Sequence, residues 1–408
     1  MLSTKKRRNL LLYGLFIMLF AGCSDKRPYI RHLRSGDRVQ LGKLSDRPAG
    51  QDVLTFYALG DWGTGNANQK AVATALRQNV AQIAPGRKIR PFVVGLGDNI
   101  YERGLPQKWN DPDVKKMLQR TFGAVYSNVK YEGKQLTFHI VPGNHDYNGR
   151  SGGRNGFGDI LQEETTAEEM FAPYWKYYPI DPGKNSDTND FANYQALKKQ
   201  TISTLTIPEE LPIESNGELL VVAIDSQVML DLYNKNDTTA LKQHFDRLDD
   251  LLKQPAAWKL IIGHHPIATH GLHGGFRTAI WWIPPVTLIA LADKFLYKPL
   301  QDLDHPAYRK FQQGLFEVMK KNHVVTYLSG HEHNLQFLKL GNGHFQIVSG
   351  SAGKLTSVTH KNDTIFSNAA LGFTRFDITD NEMWIEFFAV NLKNKSYRSA
   401  ALFKIMKD

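Results

Sequence analysis

VLTFYALGDWG, residues 53–63, is a run of apolar, aromatic and β-branched side chains that ends in glycine and then aspartate. A short apolar run stopped by Gly reads as a buried strand. Four further stretches repeat the plan: PFVVGLGDNIY (91–101), LTFHIVPGNHD (136–146), WKLIIGHHP (258–266) and HVVTYLSGHEH (323–333). Each sets a potential metal ligand just past the carboxyl end of a strand. That edge is where open α/β sheets bind ligands, and glycine there lets the backbone turn sharply toward an ion.

Together the five segments supply Asp61, Asp98, Tyr101, Asn144, His264, His331 and His333. This set of oxygens and nitrogens can hold two metal ions side by side, as a phosphoester-cleaving site requires. Asp98 can bridge both ions through its two carboxylate oxygens. Tyr101 reaches the same ion if the chain turns helically after Ile100. A phenolate favours a hard trivalent ion, whereas carboxylate, amide oxygen and imidazole suit iron, zinc or manganese, and no thiolate is offered to select a softer metal. His331 and His333 are two residues apart, so in an extended segment they project to one face and one can serve each ion. Taken singly, a GDxG is usually a turn with Asp capping the next helix, and a His-x-His is as often a strand facing solvent. Five such segments in one order, each after a strand, point instead to a dinuclear site.

On these motifs, with the last extended to GHEHNLQFL (330–338), the chain resembles the calcineurin-type metallophosphoesterases. Within them it resembles the purple acid phosphatases, especially the small tartrate-resistant type, over residues 53–350. Tyr101 is the most specific element, since purple acid phosphatases place at that point the tyrosine that ligates ferric iron and gives the colour. The resemblance implies an α/β fold, a two-sheet β-sandwich flanked by helices in four layers, αββα. It implies an Fe(III) held by Asp61, Asp98, Tyr101 and His333. The second ion, Fe(II), Zn(II) or Mn(II), would be held by Asp98, Asn144, His264 and His331. His145 and His273 become the candidate catalytic proton donors. Leu272 stands where the small enzymes tend to carry an acidic residue, which leaves His270 as a rival to His273. His265 is expected to point away from His264.

Two adjacent cations polarise phosphoryl oxygens and lower the pKa of a water so that hydroxide exists at working pH. The expected reaction is hydrolysis of phosphomonoesters by that hydroxide, with an acidic optimum because the histidine donor must stay charged. Phosphodiesters or nucleotides are the alternative substrates for the same site. A non-catalytic surface-binding lipoprotein is the alternative of another class.

The chain has 408 residues, 42% of them hydrophobic, enough for a full core in one large domain with insertions. Its net charge of +10 is misleading as a nucleic-acid signal. Residues 1–50 hold 11 Lys and Arg against 3 Asp, and the remainder is nearly balanced, 39 basic against 37 acidic. No nucleic-acid partner is expected of a near-neutral body. Lys5, Lys6, Arg7 and Arg8 precede the 12-residue apolar run Leu10–Ala21. That is short for a membrane span of about 20 residues and right for an export signal over residues 1–22. FAGC (20–23) resembles a bacterial lipobox, so Cys23, the single cysteine, is expected to carry lipid. Residues 24–50 read as a tether whose positive charge lies against anionic head groups. The protein is therefore expected on the periplasmic side of a membrane or on the cell surface, acting on a small phosphoester.

Helices are expected over 66–83, 111–126, 240–254 and 308–322, with a buried strand at 219–226. The C-terminal third reads as strands. The catalytic domain is expected over 51–408, with insertions near 147–200 and 271–308. The first reads as a long loop over the site, in which Tyr174, Tyr177 and Tyr178 are read as core packing in preference to stacking on an aromatic leaving group. The apolar 279–300 segment, interrupted by Pro284 and Pro285, reads as a lid packed on the body, or as a patch dipping into the bilayer.

Overall fold

The structure is a computed structural model. It describes residues 28–102 except 35, residue 104, residues 112–147, short strands at 176–177 and 202–205, residues 219–276, and residues 300–407 except 395. With elements numbered in chain order, one sheet runs β2 (Val39–Leu41), β18 (Ser396–Met406), β17 (Glu382–Asn391), β16 (Gly372–Ile378), β3 (Leu54–Leu59), β4 (Phe92–Gly95), β7 (Thr137–Ile140) and β8 (Lys176–Tyr177). The other runs β1 (Tyr29–Ile30), β15 (Thr364–Asn368), β13 (Leu335–Gly341), β14 (His344–Ser349), β12 (Thr326–Ser329), β11 (Trp258–Ile262), β10 (Leu219–Ile224) and β9 (Ile202–Leu205). A small hairpin, β5 (Lys130–Tyr131) and β6 (Lys134–Gln135), stands apart.

Each sheet has a block of parallel strands: β3, β4, β7 and β8 at one end of the first, and β10, β11, β12 and β14 inside the second. Parallel strands are covered on both faces and so read as unbroken apolar runs. β3 shows how. Leu54, Phe56 and Ala58 enter the core between the sheets, while Tyr57 and Leu59 face α1 (Ala67–Val80) and meet Ala71, Val72 and Leu76 in the outer core. In the second sheet Leu260 and Ile262 of β11 face the inter-sheet core. Ile261 packs outward among α4 (Ser226–Asn234), α5 (Thr238–Leu252) and α6 (Pro306–Lys321). The layers are therefore αββα, as expected.

The expected helices are present, with one irregularity. Over 111–126 the helix is broken into α2 (Pro112–Leu118), a π-helical turn (Gln119–Gly123) and α3 (Ala124–Tyr126). Helix α4 was not expected. Asp225, the last residue of the expected strand apart from Ser226, caps it by accepting from the Val228 N–H at 3.1 Å.

The N-terminal stretch differs from a tether from residue 28 onward. β1 pairs with β15 and β2 with β18, so the chain crosses both sheets before entering β3. Its basic residues bond to the body. Arg38 donates to the Gly343 carbonyl at 2.9 Å, and Arg47 makes ion pairs with the buried Asp377 and Glu386 at 2.7 and 2.8 Å. Extended residues with few apolar side chains look like linker, but strand edges recruit them through the backbone. Residues 1–27, with the export signal and Cys23, lie outside the described residues. So do most of 147–200, including Tyr174 and Tyr178, and 277–299. No helix among the described residues is long and apolar enough to cross a membrane.

Candidate metal centre

Five strand ends meet along the seam between the two sheets. The chain leaves β3 through Asp61, β4 through Asp98 and β12 through His331, and all three residues have left-handed backbone, φ 58°, 55° and 69°. Non-glycine residues seldom adopt that region, and those held there by their surroundings cluster at functional sites. Glycines make the close approach possible. Gly97 has φ 88° and a Cβ there would strike the His264 ring, while a Cβ on Gly143 would strike the backbone and carboxylate of Asp98.

The seven expected ligand residues are brought together in two linked clusters. In the first, the Tyr101 hydroxyl lies 2.7 Å from Asp98 Oδ2, 3.0 Å from Asp61 Oδ1 and 3.3 Å from His333 Nε2. In the second, His264 Nε2 lies 2.9 Å from Asn144 Oδ1, 3.3 Å from His331 Nδ1 and 3.4 Å from Asp98 Oδ1. His331 Nδ1 is 3.2 Å from Asn144 Oδ1. Asp98 thus turns one oxygen to each cluster. His264 Nδ1 donates to the Leu96 carbonyl at 2.8 Å, which leaves the Nε2 lone pair facing the cluster.

Electrostatics show what these donors lack. Burial pushes the Asp61 carboxyl well above its usual range; His264 offsets part of this and the Asp98 charge adds to it. Burial acts the same way on Asp98, but His264, His145 and the Tyr101 hydroxyl outweigh it and hold that carboxyl low. Burial and both aspartates push Tyr101 far up. Burial lowers His331 strongly and His333 to about 4, so both imidazoles are neutral with lone pairs available. Buried lone pairs that repel one another and compete for protons are relieved by cations. Oxygen and imidazole donors fit two ions of the iron, zinc or manganese kind.

The histidine candidates separate by position. The His145 ring lies 4.5 Å from that of Tyr101, its backbone N–H donates to Asp98 Oδ1 at 2.9 Å, and Nδ1 donates to the Glu102 carbonyl at 2.7 Å. The His273 ring stacks on His331 with centroids 4.2 Å apart, and its Nδ1 meets Asp302 Oδ1 at 2.9 Å. Burial alone would lower its pKa; Asp302 and Glu332 outweigh that and raise it. His270 turns to Asp363, with Nε2 2.6 Å from Oδ1, and does not join the ligands. The plane of His265 lies at 83° to that of His264. Its nitrogens are occupied by Ser226 Oγ at 2.8 Å and Gln301 Oε1 at 2.6 Å.

Three supporting carboxylates were not singled out from sequence. Asp146 accepts from the Asn99, Ile100 and Gly143 N–H groups, tying the loop after β4 to the loop after β7. Glu332 accepts from the Leu272, His273 and Gly274 N–H groups and so holds the His273 loop against the ligand pair that flanks Glu332. Both were visible as the acidic members of GNHD and GHEH. Asp302, 29 residues beyond its partner, carried no sequence signal.

Comparison with known proteins agrees with this architecture. Purple acid phosphatase 4 of Arabidopsis thaliana is 22% identical over 367 residues, covering 86% of this chain and 85% of that protein. Tartrate-resistant acid phosphatase type 5 of Sus scrofa is also 22% identical, covering 86% and 88%. Among solved structures, PhoD superposes with a TM-score of 0.53 at 13% identity, covering 89% of this chain and 71% of that one. GAP50, the anchor in the inner membrane complex of Plasmodium, superposes with a TM-score of 0.52 at 16% identity, covering 85% and 88%. The resemblance to purple acid phosphatases is borne out by these relatives, and the site is that of a metal-dependent phosphoesterase with a dinuclear metal centre. The model of the calcineurin-like phosphoesterases matches residues 54–335, from the first central strand past the His331–His333 pair, and the chain belongs to that family.

Proposed function

We propose that the protein is an acid phosphatase that hydrolyses phosphomonoesters at a dinuclear Fe(III)–M(II) centre. Fe(III) is held by Asp61, Asp98, Tyr101 and His333, and Fe(II), Zn(II) or Mn(II) by Asp98, Asn144, His264 and His331. The observation that carries the reading is Tyr101, a phenol placed 2.7 Å from Asp98 Oδ2 beside Asp61 and His333. A hard oxygen ligand there favours the trivalent ion. Two bound ions supply Lewis acidity toward the phosphoryl oxygens and acidify the attacking water.

The chain's own groups do the rest. Asp98 fixes the spacing of the two halves. His273, charged over a wider pH range because Asp302 and Glu332 raise its pKa, donates a proton to the departing alkoxide, with His145 on the Tyr101 side as the second donor. Loss of charge on His273 as pH rises makes the profile fall toward alkaline pH. Export, lipid on Cys23 and a place on the periplasmic side of a membrane or on the cell surface are read from residues 1–23.

GAP50 is named as an anchor on a similar fold, which keeps a non-catalytic role as the second reading. The complete donor set opposes it here. The test is metal analysis and a visible spectrum of soluble protein starting after Cys23, followed by hydrolysis of an aryl phosphate monoester and a diester from acid to neutral pH. Two metals, a purple band and acid-side monoester turnover are expected. Two metals without colour would remove the Tyr101–Fe(III) assignment, preferential diester cleavage would change the substrate, and absence of turnover in metal-loaded protein would favour the anchor role.

A further inference from the structure

The segment from Gly350 to Thr356 borders the centre and is pinned along its length. Gly350 and Ala352 donate to the Asn334 and Gly60 carbonyls, each at 3.2 Å, and Thr356 donates to the His333 carbonyl at 2.8 Å. Asn66 Nδ2 holds the Gly353 carbonyl at 3.1 Å. Between these anchors the segment carries a single charged side chain, Lys354. Its ammonium stands 3.7 Å from the centroid of the Tyr101 ring and bridges both oxygens of Glu102 at 2.8 and 2.9 Å. The Lys354 side chain is 25% exposed and that of Glu102 65%, so the cation is the inner member of the pair and its counter-charge the outer one.

The face of a phenol ring is negative, and a cation within about 6 Å of its centroid is attracted to it. A cation fixed on the ring of a ligand therefore acts on whatever that ligand binds. We infer that Lys354 is a positioning residue for the ferric half of the centre: a fixed positive charge on the face of Tyr101, balanced by Glu102, that tunes the ion bound through the Tyr101 oxygen. This rests on the proposed Tyr101–Fe(III) pairing.

The signs follow from where the charge sits. The ammonium is nearer the ring than the ion beyond the hydroxyl, so it stabilises the donor electrons of the ring more than the acceptor levels of the metal. Its removal narrows the gap and moves the ring-to-iron absorption to longer wavelength. Removal of a nearby positive charge also makes Fe(III) harder to reduce. Loss of the Glu102 charge does the reverse, because the cation is then uncompensated.

The experiment takes the full chain, metal-loaded in detergent, and records the visible band and the iron reduction potential of the parent, Lys354→Met, Lys354→Arg and Glu102→Gln. Lys354→Met is expected to shift the band to longer wavelength and lower the potential, Glu102→Gln to shift both the other way, and Lys354→Arg to stay near the parent. An ion pair that only ties two loops together predicts no such opposition. A band unmoved in Lys354→Met, or displaced in one direction by both charge removals, overturns the inference and leaves the Tyr101–Fe(III) reading standing. A parent without a visible band overturns that reading and the inference with it. Should Lys354→Met fail to fold, the direction of the Glu102→Gln shift decides alone.

Discussion

The two sheets contribute unlike chemistry to the centre. Asp61, Asp98, Tyr101 and Asn144, all oxygen donors, follow β3, β4 and β7 of one sheet, whereas His264, His331 and His333, all nitrogen donors, follow β11 and β12 of the other. Neither sheet alone holds a complete set for either ion. The proposed ferric set takes three oxygens from the first sheet and one nitrogen from the second; the divalent set takes two of each. Metal binding is therefore a bond across the sandwich, and Asp98 is the residue shared by both sets.

The largest effect should come from breaking that shared residue. Asp98→Asn is expected to lose both ions and to cut turnover by more than about a hundredfold, beyond what loss of an outer partner costs a metal site. Retention of two metals per chain by this variant, measured by metal analysis, would show that the halves are independent.

Removing the metals should expose the conflict between the sheets as a dependence on pH. Between about pH 6.5 and 8 an unperturbed carboxylate is fully ionised and an unperturbed histidine is losing its last charge. In the folded, metal-free protein Asp61 and Asp146, each pushed up to about 8 by burial, still hold protons there; His273 is shifted in the same direction by its carboxylates, and the lowering of His331 and His333 offsets only part of this, near pH 6.5. The folded state then binds more protons than the unfolded one, so stability falls as pH rises. Denaturant unfolding should give a loss of more than about 1.4 kcal/mol across that window, the worth of one pKa unit. Metal-loaded protein should show a flatter slope, since an ion takes the place of the Asp61 proton. A metal-free protein equally stable at both ends would contradict the burial argument.

A smaller effect tests the nitrogen side. Asp302→Asn should leave metal content intact and lower kcat by roughly tenfold for esters with poor leaving groups, part of the hundredfold or more that a proton donor contributes. Esters with good leaving groups should be nearly unaffected. Equal loss for both would make Asp302 structural only.

The smallest effect on the fold belongs to the oxygen side. Tyr101→Phe keeps the ring and removes the hydroxyl, so stability should change by about 1–2 kcal/mol while the visible band disappears. A spectrum unchanged in this variant rules out Tyr101 as the iron ligand.

The residues best read from sequence are those whose setting is local. A potential ligand after an apolar run and a glycine is a pattern within ten residues, so the seven residues that the fold brings together and the strands before them were legible locally, while the four layers followed from the family resemblance those motifs carry. Groups that act across sequence distance left no such mark. Asp302 reaches His273, Lys354 reaches Tyr101, and β1 and β2 find β15 and β18 at the far end of the chain. Helix α4 escaped because nine residues of mixed polarity after a strand resemble a loop until the Asp225 cap is seen. The choice between His270 and His273 also depended on packing, because both lie in one glycine-bordered loop and only their partners, Asp363 and Asp302, tell them apart.

The left-handed backbone at Asp61, Asp98 and His331 has a consequence for how such a chain changes over generations. Each residue holds a conformation that costs an ordinary side chain about 1–3 kcal/mol and glycine almost nothing. A lineage under pressure only to fold would drift to glycine or asparagine at these three positions while leaving the cores under the helices alone. Acid, acid and imidazole at these three positions put ligand chemistry where glycine would suit the backbone better.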